Sequence, residues 1–298
     1  MTLINALTVD VEDYFHVSAF SKHIDRNDWD RYSCRVEANT RALLEMFGQA
    51  GVRSTFFVLG WVAERYPALV REIAADGHEI ACHGYSHELV YRQTPAVFRD
   101  ESRRSKEILE GIVQRPVRGY RAASYSIIAQ STWALDTLAE LGFEYDSSIF
   151  PVHHDRYGMP DARREPHVLK TPAGHSLVEF PLSTFQIGRY RLPISGGGYF
   201  RLFPYGFTRY ALRQINAKEQ LPFIFYLHPW EIDPQQPRIQ ASLLSRFRHY
   251  QNLDRCQQRL VRLLGDFAFD TVEQVLANRG LLAVKTTNPN KASGAGGF

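Results

Sequence analysis

The chain has few cysteines and no long apolar run. Three of its 298 residues are cysteine, Cys34, Cys82 and Cys256, and they lie far apart with no C-x-x-C pair. This spacing argues against a disulfide scaffold and favours reduced thiols, as in the cytosol. No apolar stretch reaches the roughly 18 residues that span a bilayer. Residues 1–7 also lack the basic start and apolar core of a signal peptide. We therefore expect a cytoplasmic protein without a transmembrane segment.

A strong excess of one charge sign is also missing. The sequence holds 35 Lys+Arg and 32 Asp+Glu, which gives a net charge of +3. So small an excess, without a basic run interleaved with aromatics, argues against a nucleic-acid partner. It suits a neutral or modestly charged substrate. Hydrophobic residues make up 44% of the chain, which is ample for a buried core and excludes wholesale disorder.

Short apolar runs alternate with amphipathic helical patterns along most of the chain. Repeated strand-then-helix units predict an α/β fold with a parallel sheet or barrel over residues 1–283. Residues 150–210 interrupt this rhythm with several prolines and three consecutive glycines. We expect an irregular excursion there, which either borders a substrate groove or packs as a plain loop. Residues 284–298 are polar and glycine-rich, and this composition predicts a disordered tail.

The patterns also predict individual elements. Strands are expected at Ile4–Val9, Ser54–Leu59, Glu79–Cys82, Phe143–Tyr145 and Phe223–Leu227, and helices at Glu37–Phe47, Trp61–Ala75, Pro95–Ile112, Ser131–Leu141, Leu253–Leu264 and Val272–Asn278.

Polar residues with complementary chemistry follow several of these strands. They are Asp10, Glu12 and Asp13 after the first strand, then His83 and His87, then Arg121, and finally His228. In an α/β barrel the carboxyl ends of the strands form the face on which active sites are built. Each cluster alone also fits a structural role, but together they predict a site at that face.

Two histidines and a group of acids are the candidates for metal binding. His83 and His87 form an H-x-x-x-H pair, and on a helical turn residues four apart share a face. Borderline metals such as zinc accept imidazole nitrogen together with carboxylate oxygen. The acids of Asp10-Val-Glu-Asp13 repel one another unless a cation or an arginine offsets the cost. Strand alternation directs Asp10 and Glu12 to the same side.

Arg121 and His228 add chemistry of other kinds. A buried arginine can hold a carboxylate base ionised through a bidentate pair. Beside a backbone turn it also helps to place N–H groups for an oxyanion. His228 follows a very apolar run, and a histidine there suits a general acid near neutral pH. Tyr199, in the irregular region, is a candidate for stacking on a sugar ring.

Taken together and in this order, the motifs resemble those of the polysaccharide deacetylases, the NodB-homology group or carbohydrate esterase family 4. The segments that carry the resemblance are Asp10, His83-Gly-Tyr-Ser-His87, Arg121 with Tyr125, and Leu227-His228, with Thr55–Gly60 and Gly77–Ile80 as structural signatures. The resemblance covers roughly residues 5–280. The segments Asp10–Phe15 and Gly196–Phe200 are similar to the subgroup found in exopolysaccharide gene clusters.

The resemblance implies a distorted (β/α)7 barrel and a divalent metal, Zn or alternatively Co or Ni, held by one acid and two histidines. His83 and His87 match the ligands, Asp10 the base, Arg121 the residue that orients it, and His228 the general acid. Val11 stands where the family's second aspartate is usual, so the metal acid is either Glu12 or Asp13. The oxyanion N–H would lie near Ser124 or Tyr125, and Asp146 is a candidate buttress for His228.

The implied activity is removal of N-acetyl groups from an amino-sugar glycan or its precursor, with a polysaccharide-biosynthesis assembly as a conceivable partner. Two alternatives stay open. One is hydrolysis of a small cyclic amide, as in allantoinase-like relatives of this fold, which a compact closed pocket would favour. The other is a non-catalytic sugar-binding barrel, which loss of the ligand set would indicate.

Overall fold

The computed structural model describes residues 3–154 and 157–283. The predicted tail at 284–298 lies outside the described residues. Helices and strands alternate through the first half of the chain. The strands are β1 Ile4–Val11, β2 Thr55–Val58, β3 Glu79–Cys82, β4 Gly119–Tyr120, β5 Tyr145–Asp146, β6 His167–Lys170, β7 Ser176–Glu179, β8 Thr184–Ile187, β9 Tyr190–Pro193, β10 Ile224–Leu227 and β11 Ala268–Asp270. The helices are α1 Val36–Ala50, α2 Gly60–Arg65, α3 Pro67–Ala75, α4 Pro95–Val113, α5 Trp133–Glu140, α6 Gly197–Leu202, α7 Tyr205–Ala217, α8 Leu243–Tyr250, α9 Leu253–Asp266 and α10 Val272–Asn278.

Seven parallel strands form the sheet in the order β10-β1-β2-β3-β4-β5-β7. Strand β6 adds an antiparallel edge to β7, and β11 pairs with the start of β1. Because each parallel strand needs a crossover, helices follow most strands and cover the outer face of the sheet. The predicted α/β class is therefore confirmed.

The chain after β7 brings the two ends of this sheet together. The Ile224 amide donates to Ser183 Oγ at 2.9 Å, and the Tyr226 amide donates to the Ser195 carbonyl at 2.8 Å. Gly196 then forms a parallel bridge with Tyr226. These contacts to β10 curl the sheet into a distorted barrel, as the family resemblance implied.

Alternation along the strands separates two layers of the core. Outward residues such as Val9 and Phe56 pack with the helices, whereas inward residues such as Ala6, Phe57 and Tyr145 fill the barrel. Side chains of α10 join the inner group and close the end at which the strands begin. The alternation of inward and outward side chains continues to the carboxyl ends of the strands. Polar side chains at that end of the barrel therefore also point to the barrel axis.

One predicted helix differs from the structure. The Trp61–Ala75 pattern predicted a continuous helix, but the structure has α2 and α3, separated at Tyr66. Pro67 has no amide hydrogen and its ring disfavours helical backbone in the residue before it, so Tyr66 leaves the helical region. In residues 150–210 the structure contains β6 to β9 and α6. Within the described ranges, no helix is long and apolar enough to cross a membrane.

Candidate active site

Strand β1 carries two acids into the open end of the barrel. Asp10 continues the inward alternation of β1, and Glu12 follows the last residue of the strand. Both side chains are buried. His83, after β3, and Arg121, after β4, reach the same place because these strands are parallel and in register with one another. Residues from motifs that are distant in the sequence therefore meet at this edge of the sheet, as predicted.

His83 and His87 converge through a loop rather than a helical turn. Gly84 has φ of 74° and His87 has φ of 51°, so the chain reverses between the two imidazoles. The helical geometry expected for this pair is therefore wrong. His83 Nδ1 lies 2.8 Å from the Arg121 carbonyl, which fixes Nδ1 as the donor and leaves Nε2 free. Burial lowers the pKa of His83 to about 4, so the ring is neutral and able to bind a metal.

Glu12, His83 and His87 each offer a ligand atom, and these atoms lie within 4.8 Å of one another. Glu12 Oε2 is 2.7 Å from His87 Nε2 and makes no hydrogen bond to any described residue. An imidazole nitrogen and a carboxylate oxygen this close need a proton or a cation between them. Burial disfavours the charged carboxylate, but His87 and His228 hold the pKa of Glu12 well below its usual value. The set fits a divalent metal with three protein ligands.

Asp13 faces away from this cluster. Its carboxylate accepts hydrogen bonds from the amides of Tyr14, Arg35 and Val36, at 2.9, 2.5 and 2.9 Å, and so caps the start of α1. Burial raises the pKa of Asp13 to about 6 against these hydrogen bonds. The sequence left either Glu12 or Asp13 as the candidate metal ligand. The structure places Glu12 beside the histidines, whereas Asp13 stabilises the start of α1.

Asp10 and Arg121 form a buried pair beside the Glu12 cluster. Arg121 Nη1 donates to Asp10 Oδ1 at 2.6 Å and to Thr8 Oγ1 at 2.8 Å. The guanidinium is fully buried and also donates to the carbonyl and hydroxyl of Ser147. Tyr125 Oη lies 3.4 Å from Asp10 Oδ2. A carboxylate held in this way is fixed in orientation and kept as an acceptor.

His228 lies beside the two acids of the cluster. Its Nε2 is 3.6 Å from Glu12 Oε1 and 3.9 Å from Asp10 Oδ2, while its Nδ1 is 2.8 Å from Glu231 Oε1. Burial alone would lower the pKa of His228, but the carboxylates of Glu12 and Glu231 raise it to about 9. Glu231 is held in turn by Arg201 Nε at 2.6 Å.

Asp146 does not buttress His228. Its carboxylate accepts hydrogen bonds from the Ser148 hydroxyl at 2.6 Å and the Ser148 amide at 3.0 Å. The expectation for Asp146 is therefore wrong, and Glu231 occupies that role. The i, i+3 spacing within His228-Pro-Trp-Glu231 is a signal that could have found it, because the turn after β10 folds residue 231 back onto residue 228.

The predicted substrate residues lie on one side of the site. Ser124 and Tyr125 have φ of 51° and 55°, in a tight turn after Arg121. The Tyr125 amide donates to the Ala122 carbonyl, and Ser124 Oγ is 2.7 Å from Ser18 Oγ. The Tyr125 ring packs edge-on against Tyr157 and Tyr226. Tyr199 reaches this group through Tyr157, with 3.5 Å between the two hydroxyls.

Two further residues support the site and were not anticipated. Trp230 Nε1 donates to Glu12 Oε1 at 3.1 Å, which orients the carboxylate toward the histidines. Arg201 is almost fully buried and joins Glu231 to the carbonyls of His249 and Gln251. Sequence spacing could not reveal either residue, because each one contacts a partner that is distant in the sequence.

The geometry defines a class of protein: a distorted seven-stranded α/β barrel with a carboxylate–histidine–histidine set at its open end. Residues 28–145 match the family model described as Polysaccharide deacetylase, and residues 147–277 match a Domain of unknown function (DUF3473). Residues 28–145 thus correspond to a polysaccharide deacetylase domain of the NodB-homology, carbohydrate esterase family 4 type.

Curated relatives agree with this family, and a solved structure shares the fold. A peptidoglycan-N-acetylglucosamine deacetylase of Bacillus cereus is 37% identical over 24% of this chain and 26% of its own length. A chitooligosaccharide deacetylase of Bradyrhizobium sp. is 31% identical over 34% of this chain and 43% of its own. The matches thus span less than half of these relatives. A Mycobacterium smegmatis structure, of a protein considered to be a polysaccharide deacetylase, shares the fold with a TM-score of 0.60 and 22% identity, covering 97% of this chain and 94% of that one.

Proposed function

We propose that this protein is a metal-dependent hydrolase that removes N-acetyl groups from an amino-sugar glycan or its precursor. One observation carries the proposal: the Asp10–Arg121 pair lies directly beside the convergent ligand atoms of Glu12, His83 and His87. A carboxylate next to a metal-ligand set, but outside it, is the arrangement that a base for water activation requires.

Glu12, His83 and His87 would hold the metal, with Zn favoured by the donor types and Co or Ni as alternatives. A divalent cation bound there supplies Lewis-acid polarisation of the acetamide carbonyl and a lowered pKa for water. Trp230 and the Arg121 carbonyl orient the ligands by hydrogen bonds to Glu12 and His83.

Asp10 accepts the proton of the attacking water in this mechanism. Arg121 donates to Asp10 Oδ1 and holds that oxygen away from the reaction, while Oδ2 faces Tyr125 and His228. Hydroxide then adds to the acetamide carbon. The Ser124–Tyr125 turn is the proposed source of an N–H for the oxyanion, which is worth about 3–4 kcal/mol per donor.

His228 donates a proton to the departing nitrogen as the C–N bond breaks. The Glu231 carboxylate, which lies outside the ligand set, raises the pKa of His228 and fixes Nδ1–H, so that Nε2–H faces the reaction. The products are acetate and a free amine. Asp10 returns its proton to solvent and His228 regains one, which restores the starting state.

The substrate class rests on the relatives and on the tyrosines. The two curated relatives are named for deacetylation of peptidoglycan N-acetylglucosamine and of chitooligosaccharide. Tyr199 reaches the site through Tyr157 and suits stacking on a sugar ring, and Tyr125 lies beside Asp10. An exopolysaccharide precursor, handled in the cytoplasm by a polysaccharide-biosynthesis assembly, is the specific substrate we favour. A small cyclic amide is the alternative substrate, and the convergent ligand set argues against a non-catalytic barrel.

An acetate-release assay tests the proposal. Purified protein, with Zn²⁺, Co²⁺ or Ni²⁺ added back, is offered N-acetyl glycans and, in parallel, cyclic amides. Asp10→Asn should abolish acetate release and leave stoichiometric metal in place, whereas His83→Ala should remove both. Parent-rate release by Asp10→Asn would refute the base assignment. A metal-free protein that metal does not activate would refute the enzyme.

A further inference from the structure

Helix α8 presents three large apolar side chains to solvent. Leu243 is 82% exposed, Leu244 59% and Phe247 58%. Single exposed apolar residues are ordinary, but three on one eight-residue helix form a contiguous patch. Within the described ranges this is the densest group of exposed large hydrophobic residues. Such a patch on a folded surface indicates an interaction site.

Arginines flank the patch on both sides. At about 100° per residue, Leu243, Phe247 and Leu244 form an arc, and Arg246 and Arg248 lie about 60° and about 40° beyond its two edges. Both arginines are exposed, as is Arg238 just before the helix. No acidic residue occurs from Pro234 to Leu253. Within this segment, the charged residues that flank the apolar centre are therefore all basic.

The opposite face of α8 is anchored to the barrel. The His249 ring stacks on Trp230 with centroids 4.1 Å apart, and His249 Nε2 lies 2.6 Å from Gln236 Oε1. Arg201 donates to the carbonyls of Arg248 and His249 at the end of the helix. The helix is thus held rigidly, and its exposed patch is not the result of a frayed segment.

The anchoring also places α8 beside the mouth of the site. Phe20, in the turn at residues 18–20, packs on His249 with 4.7 Å between ring centroids, and Ser18 of the same turn contacts Ser124. Trp230 links His249 to Glu12. A flat partner seated on α8 would therefore lie next to the open end of the barrel.

We propose that α8 docks on the surface of an anionic lipid bilayer, with Leu243, Leu244 and Phe247 inserted among the acyl chains and the arginines paired with headgroup phosphates. Aliphatic and aromatic tips inside a basic rim match a bilayer interface, where apolar burial and attraction to anionic lipid add together. A protein partner would need an apolar centre with an acid opposite each arginine. An anionic bilayer has both features, because its headgroups carry negative charge and its acyl chains are apolar. This inference does not depend on the proposed reaction.

Vesicle co-sedimentation of the full chain tests the docking. Phosphatidylcholine vesicles are compared with vesicles containing phosphatidylglycerol, at low and at high salt. We expect binding to the anionic vesicles, weakened by salt. The combined change Leu243→Ser, Leu244→Ser and Phe247→Ser should weaken it by about tenfold or more. Arg246→Gln with Arg248→Gln should remove the preference for anionic lipid.

Val97→Ser is the matched control, because Val97 is 47% exposed on α4 and has no place in the patch. It should bind vesicles like the parent, and circular dichroism should show all variants folded. Equal binding to neutral vesicles, or full binding by the serine variant, would overturn the proposal. Self-association that the serine variant abolishes, without vesicle binding, would assign the patch to a second copy of the chain and overturn it as well.

Discussion

At the residue scale, two adjacent acids have different tasks. Glu12 turns into the barrel toward His87, whereas Asp13 accepts from the Tyr14 amide and from the Arg35 and Val36 amides at the start of α1. The division follows from where β1 ends, because the alternation that orients Asp10 no longer applies after Val11. The direction of the chain after a strand depends on tertiary contacts, and so residue types alone could not distinguish the two acids.

Paired isosteric changes test this division. Glu12→Gln should lose stoichiometric metal, because a neutral amide replaces the carboxylate ligand. Asp13→Asn should keep the metal but lower the free energy of unfolding by about 1–3 kcal/mol, because an amide nitrogen would face the N–H groups it now accepts from. Metal content by mass spectrometry and urea unfolding measure the two effects. The reverse pattern would show that Asp13 is the ligand.

The residues at the centre of the site could be predicted from the sequence, whereas the residues that orient them could not. Asp10, His83, His87, Arg121 and His228 follow strands in a parallel fold, which brings them to one edge regardless of detail. Arg201 and Trp230 act from packing between distant segments, and such contacts leave no spacing in the sequence. The tight loop between His83 and His87 likewise depends on positive φ at Gly84 and His87.

Glu231 should matter for turnover more than for binding. Glu231→Gln weakens the hold on His228 Nδ1 and removes a charge that stabilises the imidazolium. We expect kcat to fall by about 10²-fold with KM and metal content nearly unchanged. Glu37→Gln, a change to a partly exposed acid on α1, is the control. A matching rise in KM without a loss of kcat would place Glu231 in substrate binding instead.

At the element scale, barrel closure depends on a close approach at Gly196. This residue has φ of 134°, and a Cβ there would lie 1.9 Å from the Tyr226 carbonyl oxygen. Other residues can neither adopt this backbone readily nor fit against β10. The sequence indicated glycines in an irregular region, but not that one of them joins the ends of the sheet. The seven strands were harder to predict in full, because β4 and β5 have only two residues each.

Two glycine-to-alanine changes separate closure from helix propensity. Gly196→Ala should lower the free energy of unfolding by about 3 kcal/mol or more, since both strain and overlap are introduced. Gly48→Ala, in α1 with nothing within 4 Å of the new methyl, should be neutral or stabilising by about 1 kcal/mol. Urea unfolding of both variants gives the comparison. Similar stabilities for the two would show that the Gly196 bridge is dispensable.

At the scale of the whole molecule, the two ends of the barrel carry buried charge differently. The open end holds acids beside histidines and Arg121. The closed end holds Glu79, whose carboxylate accepts from Tyr145 Oη at 2.6 Å, Thr55 Oγ1 at 2.5 Å and the Glu273 amide at 3.1 Å. Burial, together with the charge of Glu273, raises the pKa of Glu79 to about 7 despite these hydrogen bonds. The closed end is thus most stable with Glu79 protonated.

This difference predicts a pH dependence of stability specific to Glu79. The folded protein keeps the Glu79 proton up to about pH 7, whereas the unfolded chain loses it near pH 4.5, so stability falls as pH rises between these values. Glu79→Gln removes that proton equilibrium. Between pH 5 and 7.5 the parent should therefore lose about 2 kcal/mol more unfolding free energy than Glu79→Gln. Urea unfolding at both pH values, with chelator present so that metal binding does not contribute, measures the difference. Parallel losses in the two proteins would mean that Glu79 is ionised throughout and that the hydrogen bonds at the closed end outweigh its burial.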